Sequence, residues 1–252
     1  MYQDFAEIYE RLMDNVEYGR WAEYYIRLLS IYGVREGRIC ECACGTGNLT
    51  IPLQRSGFQM TGVDLSQEML WQAAQKARKQ GMAIPFVKQD MKALNLHRPM
   101  DAVLATCDGV NYLITDEDLK SFFRAAWRAI RPGGALIFDV STPHKLRDQL
   151  GNGLICEDTE DITYFWQNRW HERTRTTEMN LCFFVREKDG KYRRMEERQV
   201  QRSWEAQELK NMLLQIGYRG ICFYGDGNLN NAKETDSRWH ICASRPPEES
   251  AD

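Results

Sequence analysis

The sequence predicts an α/β fold, a doubly wound sheet of seven strands that carries an inserted antiparallel β segment. Three observations lead there. Short apolar runs alternate with helix-period segments from Arg38 to Asp139, the pattern of βα units stacked into a parallel sheet. The first of those runs stops at Gly45 and Gly47, a turn tight enough to pass a chain directly from strand to helix. Between residues 152 and 203 the apolar period changes from helical to two, and a helix-strand-strand pattern then closes the chain. The expected organisation is one discontinuous domain, residues 1–151 and 204–245. An inserted β subdomain at 152–203 serves as lid or substrate wall, and an acidic tail follows at 246–252.

The elements follow in order. Residues 2–33 read as two helices: Phe5, Ile8, Tyr9 and Leu12 share one face, and Trp21, Tyr25, Leu28 and Tyr32 another, with Gly33 as the stop. The first strand runs from Arg38, and a helix from Asn48 ends near Ser56-Gly57. Gln59 to Asp64 is the second strand, Ser66 caps a helix closed by Gly81, and Ile84 to Gln89 is the third strand. Asp101 to Thr106 is the fourth. Thr115 caps a helix with Asp116, Glu117 and Asp118 in its first turn, where carboxylates meet the positive end of the helix dipole. Arg131-Pro132-Gly133-Gly134 ends that helix, and Ala135 to Val140 is the fifth strand. In the insertion, Ile162, Tyr164, Trp166, Asn168 and Trp170 alternate with Thr163, Phe165, Gln167 and Arg169, and Asp189-Gly190 marks a hairpin. Leu209 to Ile216 is a helix, and Arg219–Tyr224 and Trp239–Ser244 are the last strands, the final one entering antiparallel.

Composition narrows the function. At 252 residues, 43% hydrophobic and 27% charged, the chain resembles an ordinary globular protein. No apolar run approaches the ~20 residues of a membrane helix, and the first residues lack a leader's basic and apolar regions, so the expected location is the cytoplasm. A net charge of −3 argues against a nucleic-acid partner, whose phosphates ask for a basic face. The insertion is balanced, with ten acidic and ten basic residues from 153 to 203. Cys40, Cys42 and Cys44 alternate on one strand face with no His or CxxC beside them, and read as packed thiols with no metal.

The glycine turn carries the chemistry. A phosphate loop would end in Gly-Lys-Ser/Thr, and a dinucleotide fingerprint would have Gly or Ala where Thr50 stands. Glu41-x-Ala43-x-Gly45-x-Gly47 instead resembles motif I of the class I, Rossmann-like S-adenosylmethionine (SAM) dependent methyltransferases, with Ala43 in place of the first glycine. Asp64, Asp90-Met91 and Arg131-Pro132-Gly133-Gly134 match further elements at the family's spacing. The nearest likeness is to small-molecule enzymes of bacterial type with a β insertion.

The resemblance implies a cofactor and its site. Glu41, Ala43, Gly45, Thr46 and Gly47 form the turn around SAM, Asp64 takes the ribose hydroxyls with Leu65 beside it, and Asp90 and Met91 meet the adenine. Cys107 borders the sulfonium, and Tyr9 or Trp21 folds over the cofactor from the N-terminal helices. A carboxylate suits the ribose because it accepts two hydrogen bonds at once. A structural reading stands beside each of these, such as Asp64 merely preceding the helix capped by Ser66. If the acceptor must lose a proton, Asp108 and His144, just beyond strands four and five, are the candidate bases, and His171 is a weaker one. Tyr164, Trp166 and Trp170 offer an apolar wall to the acceptor, and Arg169 and Arg173 a grip on an anionic one. The expected partner is a small-molecule methyl acceptor, with a homodimer as one possible assembly. A non-catalytic SAM-binding regulator and a nicotinamide-dependent oxidoreductase are the alternative functions.

Overall fold

The computed structural model describes residues 17–248. The first expected helix, and Tyr9 with it, lies outside them. Helix α1 (Tyr18–Ile31) buries Tyr25, Leu28 and Leu29 on one stripe and ends at Gly33, whose φ of +80° suits the stop. The alternation then runs β1 (Arg38–Cys42), α2 (Thr50–Arg55), β2 (Gln59–Asp64), α3 (Gln67–Lys79), β3 (Phe86–Lys88), β4 (Met100–Ala105), α4 (Asp116–Ala129) and β5 (Ile130–Ser141). Four strands follow, β6 (Leu154–Asp158), β7 (Ile162–His171), β8 (Thr176–Arg186) and β9 (Tyr192–Arg202). Then come α5 (Ala206–Ile216), β10 (Arg219–Gly225) and β11 (Arg238–Ser244).

The main sheet has seven strands in the order β10-β11-β5-β4-β1-β2-β3. Its first five strands pair parallel, and β11 enters antiparallel, as the sequence predicts, taking a place between β5 and β10 that the structure decides. Helices cover both faces. Tyr25, Leu28, Ile51, Leu53 and Ala77 from α1, α2 and α3 pack on one side, and Phe122, Phe123, Leu209 and Leu213 from α4 and α5 on the other. The chain leaves β1 toward β2 on one side and reaches β4 on the other. The carboxyl ends of β1 and β4 therefore border the crevice where open α/β sheets hold ligands.

The inserted strands form a separate antiparallel meander, β6-β7-β8-β9. The Asp189-Gly190 hairpin is as read, with Gly190 at φ +81° and its N–H on the Glu187 carbonyl at 2.9 Å. Strand β6 is not legible in the sequence, because all five of its residues are exposed and none contrasts with its neighbour. Alternation along β7 places Asn168 and Trp166 on the face turned to the domain. Arg169 lies on the outward face, and Arg173 in the turn after β7.

Two boundaries differ from expectation. Strand β3 is shorter than read, three residues. The segment Arg131-Pro132-Gly133-Gly134 is no interruption but the opening of β5, with a register shift opposite Met100 and Ala102. Gly134 is required there, since a Cβ would stand 2.6 Å from the Asp101 carbonyl oxygen. A π-helical turn, His144–Leu150, links β5 to the inserted sheet and carries no periodic signal.

Candidate active site

The crevice is built from three loops. The first follows β1. Ala43, Gly45 and Gly47 all adopt left-handed backbone angles, φ +51°, +53° and +77°. Their space has different owners. A Cβ on Gly47 would press on Ala73 and Phe86 at 3.1–3.2 Å, so that glycine serves packing, whereas a Cβ on Gly45 meets nothing within 4 Å and faces open space. Ala43 holds an angle that glycine takes freely and alanine only at a cost.

Asp64 ends β2 beside this turn, and its two oxygens are divided. Oδ2 accepts the Gly45 N–H at 2.8 Å and Oδ1 the Ser66 N–H at 2.9 Å. Each oxygen keeps a further lone pair, so the carboxylate both shapes the turn and remains able to accept a diol. Leu65 follows with its side chain 62% exposed, an apolar surface at the mouth. Asp90 caps the 3₁₀ turn Met91–Ala93 by accepting the Lys92 N–H at 2.9 Å, and Met91 packs partly against the core. These residues stand on neighbouring strand ends and suit a nucleoside: a diol acceptor, an apolar edge and a carboxylate at the third strand.

Glu41 and Thr46 lie beneath the turn, each 1% exposed. The Glu41 carboxylate accepts the Thr50 hydroxyl and, at 2.7 Å, the Thr106 hydroxyl, tying α2 to the end of β4. Burial pushes its pKa up to about 7 against those two donors. Its reach is toward the protein.

The third loop follows β4, and here the fold adds residues that motif reasoning missed. Cys107 and Asp108 both adopt left-handed angles, φ +54° and +65°. Asp139, fully buried in β5, holds them there: its oxygens accept the N–H of Cys107 and of Asp108, each at 2.8 Å. The Tyr25 hydroxyl donates to the same carboxylate at 2.6 Å, and Arg238 from β11 pairs with both Asp139 and Asp108. His240 completes the cluster, its Nδ1 3.2 Å from the Tyr25 oxygen. Burial lowers the His240 pKa to about 4, so the ring is neutral at pH 7; the Tyr25 hydrogen goes to Asp139, and His240 donates. Trp21 lies over this group, 5.1 Å from the Arg238 guanidinium. One sequence signal existed: a carboxylate inside the apolar run Ile137-Phe138-Asp139-Val140 has to be paired.

The two candidate bases differ in circumstance. Asp108 is engaged by Arg238 and, at 3.8 Å, by Lys145, cations that hold its carboxyl below the usual range against the penalty of burial. His144 stands on the π-helical turn, half-buried, 3.3 Å from Asp148. His171 lies in the inserted sheet, 3.7 Å from Glu178. The Cys107 thiol is pushed up by burial and is no nucleophile.

The inserted sheet meets the crevice through the loop after β4. Asn111 donates to the carbonyls of Ser141 at 3.0 Å and Arg202 at 2.9 Å, while Tyr112 donates to Gln199 at 2.8 Å. Thr177 donates to the Leu146 carbonyl at 3.1 Å.

Comparison with known proteins agrees with this geometry. A methyltransferase-domain family matches residues 39–134. A protein of Geobacillus sp. (strain WCH70) that carries a methyltransferase name is 32% identical over 246 residues, 97% of this chain and 99% of its own. A crystal structure of a SAM-dependent methyltransferase from Clostridium acetobutylicum superposes with a TM-score of 0.88 at 30% identity, covering 97% of this chain and 99% of that one. SAM-bound CalS10, an amino pentose methyltransferase from Micromonospora echinaspora, shares the fold at 18% identity, with a TM-score of 0.76 over 94% of this chain and 96% of its own.

Proposed function

The chain belongs to the class I SAM-dependent methyltransferases, and from that premise we propose that it methylates a small-molecule acceptor held between the β4 loop and the lid sheet. The observation that carries this reading is Asp64, fixed by Gly45 and Ser66 with lone pairs to spare at the crevice. When bound, SAM supplies a methyl group already activated on a sulfonium. The chain's own task is then to hold the acceptor in line and to keep water out, an alignment worth ~7–11 kcal/mol of a barrier.

The residues divide that task. Gly45 gives the cofactor open space, Asp64 receives its ribose, Leu65 and Met91 flank its base with Asp90 at the edge, and Trp21 closes the far side. Asp108 stays ionised beside Arg238 and Lys145, and we assign it to shaping the loop. His144 is the remaining base for an acceptor that must lose a proton. The net charge of −3 weighs against nucleic acid as the substrate. Exposed Leu154 and Phe165 on the lid are the surface on which we place a homodimer, and the compartment we assign is the cytoplasm.

Calorimetry tests the reading. SAM and its demethylated product bind and NADH does not, and Asp64→Ala loses ~1.5–3 kcal/mol of SAM affinity while remaining folded. A variant that binds SAM like the wild type removes the ribose assignment. Turnover in a methyl-acceptor screen separates the enzyme from a SAM-binding regulator.

A further inference from the structure

We propose that the domain-facing side of the lid sheet binds a small amine-bearing acceptor, with Glu197 as partner of its ammonium group and Asn168 and Trp166 as partners of its hydroxyl or carbonyl groups. The proposal rests on the methyltransferase reading and names the acceptor class.

Register places these side chains together. Trp166 pairs with Leu181 and Leu181 with Glu197; Asn168 pairs with Met179 and Met179 with Gln199. Directly paired residues share a face, so all six lie on one side of β7, β8 and β9. The Tyr112–Gln199 and Thr177–Leu146 hydrogen bonds turn that side toward the crevice loops.

Three polar side chains on this face are unspent. Asn168 is only 3% exposed, yet neither its amide oxygen nor its nitrogen has a partner, and the buried Trp166 indole N–H has none either. An unmet buried polar group is costly, and few native structures keep one without a use for it. Glu197, half-buried, has no ion pair or hydrogen bond among the described residues, and burial raises its carboxyl above the ordinary range. Arg194 and Arg198 sit on the opposite face with Glu196 and Glu178, and Arg193 on the same face is paired with Glu187.

Chemistry selects the occupant. The face offers one uncompensated negative charge, the N–H groups of an indole and an amide, and an amide acceptor over a floor of Leu181 and Met179. An anionic acceptor meets Glu197 in repulsion, and a hydrocarbon leaves Asn168 and Trp166 unpaired. An ammonium with a hydroxyl or carbonyl nearby answers all three. Passing one ammonium proton to the Glu197 carboxylate leaves a neutral amine with a free lone pair and a neutral carboxyl, so charge is conserved within the site.

The full chain saturated with S-adenosylhomocysteine is examined by saturation-transfer NMR with D-glucosamine, ethanolamine and tyramine. Glucose, ethylene glycol and 4-hydroxyphenethyl alcohol are the matched hydroxyl probes. At least one amine is expected to bind tenfold or more tightly than its hydroxyl counterpart. Glu197→Gln should lose that preference while calorimetric affinity for S-adenosylhomocysteine stays within twofold. Asn168→Leu should lose amine binding with an unchanged or higher Tm, because an unpaired amide has been removed. Equal binding of amine and hydroxyl probes, no binding of any amine, or an unaffected Glu197→Gln overturns the proposal. A marked fall in Tm for Asn168→Leu makes that amide structural and overturns its assigned role. Failure of the wild type to bind S-adenosylhomocysteine instead strikes the methyltransferase reading.

Discussion

The Asn111 side chain donates to the Arg202 carbonyl at 2.9 Å, joining the loop after β4 to the last residue of the inserted sheet. The same amide nitrogen reaches Ser141, and its oxygen accepts the Ser141 N–H at 2.9 Å, so one buried side chain fastens β5, the crevice loop and the lid. The same end of β9 is tied further by Arg202, which pairs with Asp116 at 2.8 Å and donates to the Ile114 carbonyl at 3.1 Å.

Asn111→Ala should therefore loosen the lid before it harms the main sheet. Removing the amide strands two carbonyls and an N–H, a loss of about 1–3 kcal/mol. Limited proteolysis is expected to cut within residues 152–203 faster than in wild type, while the far-UV spectrum and SAM affinity are retained. Cleavage at wild-type rate would show that the anchor lies elsewhere.

Asp139→Asn leaves the buried Arg238 with Asp108 as its sole carboxylate and weakens the hold on two left-handed residues. Breaking a buried ion pair on one side typically removes 3–5 kcal/mol, so urea unfolding should show a loss of about 3 kcal/mol or more. Arg238→Met, which removes the cation and leaves two facing carboxylates, is expected to be worse than Asp139→Asn in the same measurement.

Glu41 makes stability depend on pH. Its folded pKa of about 7 lies above the ordinary 4.5, so the folded state favours the protonated form. The contribution is complete below pH ~4.5 and is lost as pH rises through 7, about 3 kcal/mol across that window at 1.36 kcal/mol per unit. In Glu41→Gln that titration disappears. The difference in Tm between pH 5 and pH 8 should shift toward greater relative stability at pH 8 than in wild type; an unchanged difference would mean that Glu41 is ionised throughout.

Ala43→Gly tests the strain in the first loop. A left-handed alanine costs ~1–2 kcal/mol, while glycine adds ~0.4–1 kcal/mol of unfolded-state entropy. A net gain of about 0.5–1 kcal/mol is expected, seen as a Tm rise of about 1–3 °C for a chain of this size. A fall in Tm would show that the Ala43 methyl packs too well to lose, most directly against Gly109, where an added Cβ would come within 2.9 Å of it.

Much of this molecule was written in local sequence. The period of two in β7, the caps Ser66 and Thr115, and the glycines at 45 and 47 fix their elements because each depends on neighbours a few residues away. Asp64 was legible for the same reason: a strand's last residue, at fixed spacing from a glycine turn, has one place to go. What only the tertiary structure decided are the pairings of distant residues. Tyr25, Asp108, Asp139, Arg238 and His240 come from four elements up to 215 residues apart and meet only because β11 slides antiparallel beside β5. The division of the glycines, Gly47 for Phe86 and Gly45 for open space, depends on which atoms arrive from other strands. The face of the lid that carries Asn168 and Glu197 was likewise fixed by register with β8. A side chain's type is local information, but its partner is a property of the packed chain.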